Sequence, residues 1–418
     1  MAREILVLGA GMVGVSVAWH LQQRGHQVTL VDRRQPGRET SFGNAGLIQR
    51  EAVYPYAFPR DLKTLLRVLP NRETDIRYRL GGLMHTAGPL LQYWHHSAPG
   101  RYSGVVPSYA ALVEQSLDTH AEMIQAAGAE HLIRETGYID VFRTASAFKR
   151  ELKQAEKAAR EFGIETRMLD ADALAREQPG IHINTPGAIH WTQPWGAVSP
   201  GDLVAAYARA FRGSGGRLVE AELQSLNPQG SGWRALVQGE TLEAEQVVMA
   251  MGPWSADWLT NLGISIPLII KRGYHMHFAG AEGASQNGTG LKHWIIDSEN
   301  GYLLAPMQAG IRLTSGAELT RHQAPPRYEQ LNDAEAKART FFSLGERIDA
   351  QPWMGSRPCL PDMKPIIGPS RKHPGLWLAC GHGHQGFTLG PVTGKLISQM
   401  MDGERPEIDM TPYRVERF

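Results

Sequence analysis

Cysteine is scarce: of 418 residues, only Cys359 and Cys380 carry a thiol. So few thiols make a disulfide framework unexpected and suit a reducing compartment. They also exclude an iron–sulfur cluster held by four thiolates of this chain. No run of 18 apolar residues occurs, so no transmembrane helix is expected. The chain enters an apolar strand directly after Met1-Ala2-Arg3-Glu4, without the apolar region of a signal peptide, and a cytoplasmic location is expected. Charge of either sign is not in excess. Lys plus Arg number 43 and Asp plus Glu 42, for a net charge of +1, so nothing calls for a nucleic-acid partner. The 16 histidines show no HExxH-like spacing, so no metal site is expected, and no nucleophile elbow is present. Internal repeats and low-complexity stretches are also lacking.

What is present is an ordinary globular composition, 42% hydrophobic and 20% charged, in a chain long enough for two domains. Ile5–Leu8 is wholly apolar, as a parallel strand covered on both faces would be. Val13, Val17 and Leu21 then recur every fourth residue, marking a helix that Gly25 ends. Val28–Val31 is a second apolar strand, closed by Asp32, which completes a βαβ unit. Residues 108–127 and 145–162 read as amphipathic helices, and 168–178 as a shorter one. A further helix runs from Ser199 to about Arg212, and Ala334–Phe342 is another candidate. Leu218–Leu223, Trp233–Val237 and Leu242–Met249 read as strands. Between about 266 and 316 strands follow one another without crossover helices: Leu268–Ile270, Tyr274–Phe278, Trp294–Ile296, Tyr302–Ala305 and Ile311–Thr314. That order predicts an antiparallel sheet. Leu376–Cys380 is an apolar strand, and the glycine-dense Gly381–Gly386 leads into a last helix. The fold expected is α/β plus α+β, with a nucleotide domain built from 1–75, 150–265 and 355–418. A second domain comprises 76–149 and 266–354.

Gly9, Gly11 and Gly14 follow the first strand as GxGxxG. Gly9 permits the turn, Gly11 lets backbone approach a pyrophosphate, and Gly14 lets helix and strand pack closely. The helix N-terminus, at Met12 and Val13, supplies free N–H groups and a positive dipole end. Asp32 can bind ribose hydroxyls and would repel a 2′-phosphate, although Arg33 and Arg34 follow it. The pattern alone leaves NAD and FAD open, and three features favour flavin. Thr40-Ser41-Phe42-Gly43-Asn44-Ala45-Gly46, with Leu47, is a small, polar loop that can bind pyrophosphate and admit a ring. Gly252-Pro253-Trp254 ends a strand near the cofactor. Gly383-His384-Gln385-Gly386-Phe387-Thr388 stands between strand and helix, where a helix N-terminus could face the flavin N1 and stabilise its reduced form.

These blocks resemble the FAD-dependent amine oxidoreductases related to D-amino acid oxidase, glycine oxidase and sarcosine oxidase, most of all the bacterial D-amino acid dehydrogenases. Val7–Gly14 with Asp32, Thr40–Gly46, Arg272-Gly273-Tyr274, Gly355-Ser356-Arg357-Pro358 with Pro361-Asp362 and Ile367-Gly368, and Gly381–Thr388 carry the likeness along nearly the whole chain. The resemblance implies a Rossmann-like FAD-binding domain with an inserted antiparallel-sheet substrate domain roofing the flavin. It implies that Leu223 contacts the adenine side, that Gly252 and Trp254 lie beside the cofactor, and that Arg357 binds a substrate carboxylate. His384 stands where glycine oxidase-like members carry an arginine. Cys359 is near the position of a covalent flavin link in some relatives, but its offset from Asp362 differs, so FAD is expected to bind non-covalently.

The implied reaction takes hydride from the Cα of a small amino acid to flavin N5, giving an imine that hydrolyses to keto acid and ammonia. Arg357 suits the carboxylate through its bidentate guanidinium. Tyr302 and Tyr274 are candidate phenol donors to the same group, and His384 is a candidate pocket base. Leu80–Trp94, beside Lys63, Arg67, Arg77 and Arg79, reads as a lid or packed helix, with an interfacial helix at the inner membrane as the alternative. A quinone, a carrier or oxygen remain open as electron acceptor. Four activities also remain open: D-amino acid dehydrogenase, oxygen-using oxidase of glycine, sarcosine or another secondary amine, flavin subunit of a hetero-oligomeric dehydrogenase, and NAD-dependent dehydrogenase, which would be colourless.

Overall fold

The computed structural model describes residues 2–280 and 290–418. Five parallel strands form its first layer in the order Arg217–Glu220, Gln27–Asp32, Glu4–Leu8, Gln246–Met249 and Leu376–Cys380. Ile366–Pro369 adds an antiparallel edge. The central strands are apolar on both faces because helices cover both. Helix Met12–Gln23 packs on Gly390–Met401 and Pro200–Gly213. At Gly14 a Cβ would lie 1.7 Å from the Gly9 carbonyl oxygen. Only a glycine lets this helix start so near its strand.

A three-stranded meander, Leu223–Gln229, Gly232–Val237 and Glu240–Ala244, flanks this layer. The second layer is a ten-stranded sheet whose long strand, Ile269–Phe278, pairs with Gly310–Thr314 and Ala317–Leu319 on one side and with Trp353–Cys359 on the other. Tyr302–Met307, Trp294–Asp297, Tyr138–Val141, Ala188–Trp191 and Thr166–Leu169 extend it. The sheet is mostly antiparallel, with parallel pairs at Trp294–Asp297 with Tyr138–Val141 and at Ala317–Leu319 with Ile76–Tyr78. Its outer face carries Tyr274, Met276, Phe278, Tyr302 and Leu304 against helix Glu329–Phe341. The opposite face turns to the first layer.

Several boundaries differ from the sequence reading. Residues 166–191, expected in the nucleotide domain, supply two strands of the ten-stranded sheet, because Tyr138–Val141 offers them an edge. The strands expected at 268–270 and 274–278 are one, Ile269–Phe278. Residues 108–127 form the end of one helix, Pro99–Glu114, and a second, Ser116–Ala127. Gly383–Gln385 is a single 3-10 turn, and the last helix begins at Gly390. The helix N-terminus expected at 381–386 is therefore not there.

Gly14→Ala should lower stability by about 1–3 kcal/mol, the usual cost of overpacking, and strip bound flavin. Thermal melts and the ratio of visible to 280 nm absorbance check this. A fully yellow, equally stable variant would refute it.

Candidate active site

Between the two layers lies a cavity of ≈ 1110 Å³, larger than a drug-sized ligand requires. One end is bounded by Gly9, Gly11, Met12, Val13, Asp32, Arg33, Leu223, Gly252 and Trp254, and the middle by Thr40, Ser41, Asn44, Ala45 and Leu47. Gly383, His384, Gly386 and Phe387 reach the far end. The expected cofactor residues are thus gathered on one elongated wall, with four exceptions. Gly14 is used in packing. Gly46 donates its N–H to Asn44 Oδ1 at 2.7 Å, and its carbonyl accepts from Ala197 N. Gln385 donates to Gln49 Oε1, and Thr388 Oγ1 accepts from the Gln49 N–H. These residues set the shape of the loops and do not border the cavity.

At the nucleotide end the Asp32 carboxylate accepts from Ala10 N at 2.6 Å and Arg34 N at 3.0 Å, which fixes it where ribose hydroxyls can reach its remaining lone pairs. Burial pushes its pKa up. Arg33 lies 4.4 Å over the Trp254 ring, closing that end with a cation–π contact. Ser41 Oγ accepts from Met12 N at 3.0 Å, tying the 40–46 loop to the helix start. The same loop is held from above. Buried Arg312 donates to the carbonyls of Phe42 and Asn44, and Trp294 Nε1 to that of Ala45 at 2.7 Å. These features fit FAD: an acid for ribose, free helix N–H groups for pyrophosphate, and a narrow backbone-lined slot continuing to Gly383–Phe387. Cys359 is buried and borders a small neighbouring void of ≈ 30 Å³ and not the main cavity.

The roof face carries Lys271, Gly273 and Arg357. Cross-strand pairing sets Lys271 opposite Arg357 and Gly273 opposite Gly355. Gly273 is a hollow that the Arg357 guanidinium fills, since a Cβ there would be 2.5 Å from Nη2. Arg357 donates only to carbonyls, those of Gly316 at 3.3 Å and Arg272 at 3.4 Å. Burial lowers its pKa. His384 meets the Tyr56 ring at 5.1 Å; burial, then the charges of Arg357 and Lys271, hold its pKa well below the usual histidine range, so the ring is neutral. Tyr138 and Asp140 form the other side of the roof. Burial raises the Asp140 pKa to about 8, and that of nearby Glu51 to about 7.

The two tyrosines expected as carboxylate donors are placed otherwise. Tyr274 Oη donates to Glu318 Oε2 at 2.5 Å and packs edge-on against Tyr328. Tyr302 packs edge-on against Phe341, with its hydroxyl beside the Arg143–Asp297 ion pair. Both residues border the cavity, but their side chains belong to the cluster under helix Glu329–Phe341, so strand alternation turns the phenols to the far face. The face they were expected on holds Lys271, Tyr56 and Tyr138, which sequence reasoning missed. Period-two alternation was the available signal: Lys271 and Gly273 share the face opposite to Arg272 and Tyr274. His275 and His277, two apart on one strand, are joined by Asp349, which only the fold brings to them. His277 has both nitrogens engaged, by Asp349 Oδ2 at 2.8 Å and by the Arg312 Nε–H at 3.0 Å. The Asp349–His277 pair thereby orients Arg312.

Comparison with known proteins agrees with this geometry. A family model described as FAD dependent oxidoreductase matches residues 4–400. The chain therefore belongs to the FAD dependent oxidoreductase family, and it is an FAD-dependent enzyme. It is 28% identical to a D-amino-acid oxidase of Bradyrhizobium diazoefficiens, over 100% of this chain and 99% of the relative. A D-amino acid dehydrogenase of Chromohalobacter salexigens is 26% identical over 99% of each. The fold is similar to that of glycine oxidase from Geobacillus kaustophilus, with a TM-score of 0.75 at 19% identity, over 100% of this chain and 99% of that one.

Asp140 binds a proton in the folded state that the unfolded chain, with a carboxyl near 3.8, has lost at neutral pH. Its contribution favours the fold at low pH and fades as pH rises from about 4 towards about 8. Asp140→Asn, which keeps the neutral shape, should flatten the fall in melting temperature between pH 5.5 and 8. An unchanged slope would show that Asp140 ionises freely.

Proposed function

We propose that this chain oxidises small D-amino acids at Cα, as a dehydrogenase, to the imine and thence to keto acid and ammonia. The observation that carries the reading is Arg357: a half-buried guanidinium over Gly273, with no carboxylate partner among the described residues, facing the flavin wall. When bound, FAD supplies the hydride acceptor. Arg357 holds the substrate carboxylate in a fixed orientation, because a guanidinium binds it through two parallel hydrogen bonds. That fixes Cα against the wall formed by Ala45, Leu47 and Gly383–Phe387. Neutral His384 accepts a hydrogen bond from the substrate amine, and the desolvated pocket favours the uncharged amine that hydride loss requires. The preference for the D hand is supported by the names of the relatives and by no feature of the site.

The acceptor we propose is a quinone reached at a bilayer surface. Helices Leu62–Val68, Leu80–His85 and Ala87–His96 expose Leu62, Leu66, Leu69, Leu80, Met84 and Leu91. Leu65, Val68, Leu69, Leu83 and Leu90 continue this surface into the cavity. Lys63, Arg60 and Arg72 flank it with positive charge, as an anionic interface favours, while Arg67 is paired with Glu73 and Asp75. Among the described residues no helix is long and apolar enough to cross a membrane.

Anaerobic spectra with D- and L-amino acids, glycine, sarcosine and proline test the reaction. D-amino acids should bleach the flavin, and Arg357→Leu should keep its FAD while losing on the order of 100-fold in kcat/KM. Bleaching only by glycine or sarcosine, or an Arg357→Leu variant with unchanged KM, would overturn the reading. Flotation with anionic vesicles tests the surface: Leu66→Glu with Leu80→Glu should release the protein while leaving flavin reduction intact.

A further inference from the structure

Lys271 and Arg357 stand directly opposite each other on paired strands, where side chains share a face and like charges repel. Among the described residues no carboxylate offsets this, and Tyr93 alone touches the ammonium. Lys271 Nζ donates to Tyr93 Oη at 3.3 Å and lies 4.5 Å over that ring, and Tyr93 in turn donates to the Tyr56 carbonyl. Arg357 donates to carbonyls alone. Among the described residues neither cation has a carboxylate partner. The thiol of Cys359 and the phenol of Tyr93 stay protonated at neutral pH, since burial pushes both up. Two neighbouring cations in a desolvated pocket are costly unless an anion arrives to pair them. One monocarboxylate would neutralise one of them.

The two charges also diverge. The Arg357 guanidinium lies over Gly273, whereas the Lys271 ammonium leans towards Tyr93 on the helix Ala87–His96. Both border the same cavity. We propose that Arg357 and Lys271 form a site for two carboxylates of one molecule, and that the preferred substrates are amino acids with an acidic side chain. This rests on the amino acid reading above and adds Lys271 as the residue that selects the side chain. Arg357 keeps the carboxylate next to Cα, and Lys271 takes the distal one through a charge-assisted hydrogen bond.

The experiment uses the flavin-loaded enzyme and reads ligand binding by the perturbed visible spectrum, so it does not require turnover. Succinate and glutarate are titrated against their monoamides, which match them in shape but carry one charge. The dicarboxylates should bind about 30-fold more tightly, the worth of one hydrogen bond to a charged group. Lys271→Met should bring the two classes within about 3-fold of each other, and Lys271→Arg should restore the difference. Equal flavin content in all variants verifies the fold. Anaerobic reduction should follow the same order, D-aspartate and D-glutamate ahead of D-asparagine and D-glutamine. Equal binding of diacid and monoamide by the wild type, or discrimination that survives Lys271→Met, would overturn the proposal. So would a preference for D-lysine or D-arginine, which would assign selection to the acids near Asp140. If diacids are discriminated but no amino acid reduces the flavin, the Lys271 site stands and the proposed reaction falls.

Discussion

The antiparallel pairing of Ile269–Phe278 with Trp353–Cys359 is the contact through which both layers become one site. It closes a connection of about eighty residues and so orders the chain at considerable entropic cost. In return it places Arg357 over Gly273 and Trp353 over Gly43, then hands the chain to Ile366–Pro369 and Leu376–Cys380 in the nucleotide layer. Cys359 bridges to His382, so the strand's end also fixes the turn that carries His384. A break in this one ladder would separate Arg357, the 40–47 loop and the turn carrying His384 together.

The site is electrostatically divided. Its cations, Lys271 and Arg357, lack partners, while its acids on the Tyr138–Val141 side are held protonated by burial. Both departures cost stability, and both leave capacity for a ligand to satisfy. The outer face of the same sheet shows the opposite economy. There Arg79 pairs with Glu318, which also accepts from Tyr274, and Arg272 is wholly buried yet donates to the carbonyls of Arg321, His322 and Pro325. Most polar groups on that face are taken up by structure, though Arg79 Nη2 and Arg272 Nε are buried without a hydrogen bond.

Much of the nucleotide half was legible because its signals are local. Apolar runs, the glycine spacing and Asp32 each act within a few residues of one another. The roof was harder to read. Trp353–Cys359 carries two glycines and Pro358 and resembles a loop, yet it pairs along one edge only, where a missing N–H is tolerated. Thr166–Leu169 and Ala188–Trp191 are short and acquire their strand character from a partner far away in sequence. Tyr274 and Tyr302 were chosen for their chemistry, without regard to which way alternation turns them. Lys271 went unread because its meaning depends on Arg357, which only register places opposite it.

Trp353 also bears on how the cofactor is retained. Its ring lies where a side chain on Gly43 would stand and stacks on His275 at 4.9 Å, while Arg312 and Trp294 grip the same loop from the roof. The 40–47 loop is therefore pinned by the opposite layer. A flavin held behind this loop would be released by an opening of the layers as well as by loss of its own contacts. Such an enzyme would stay charged with cofactor through dilutions that empty a more open site of equal affinity.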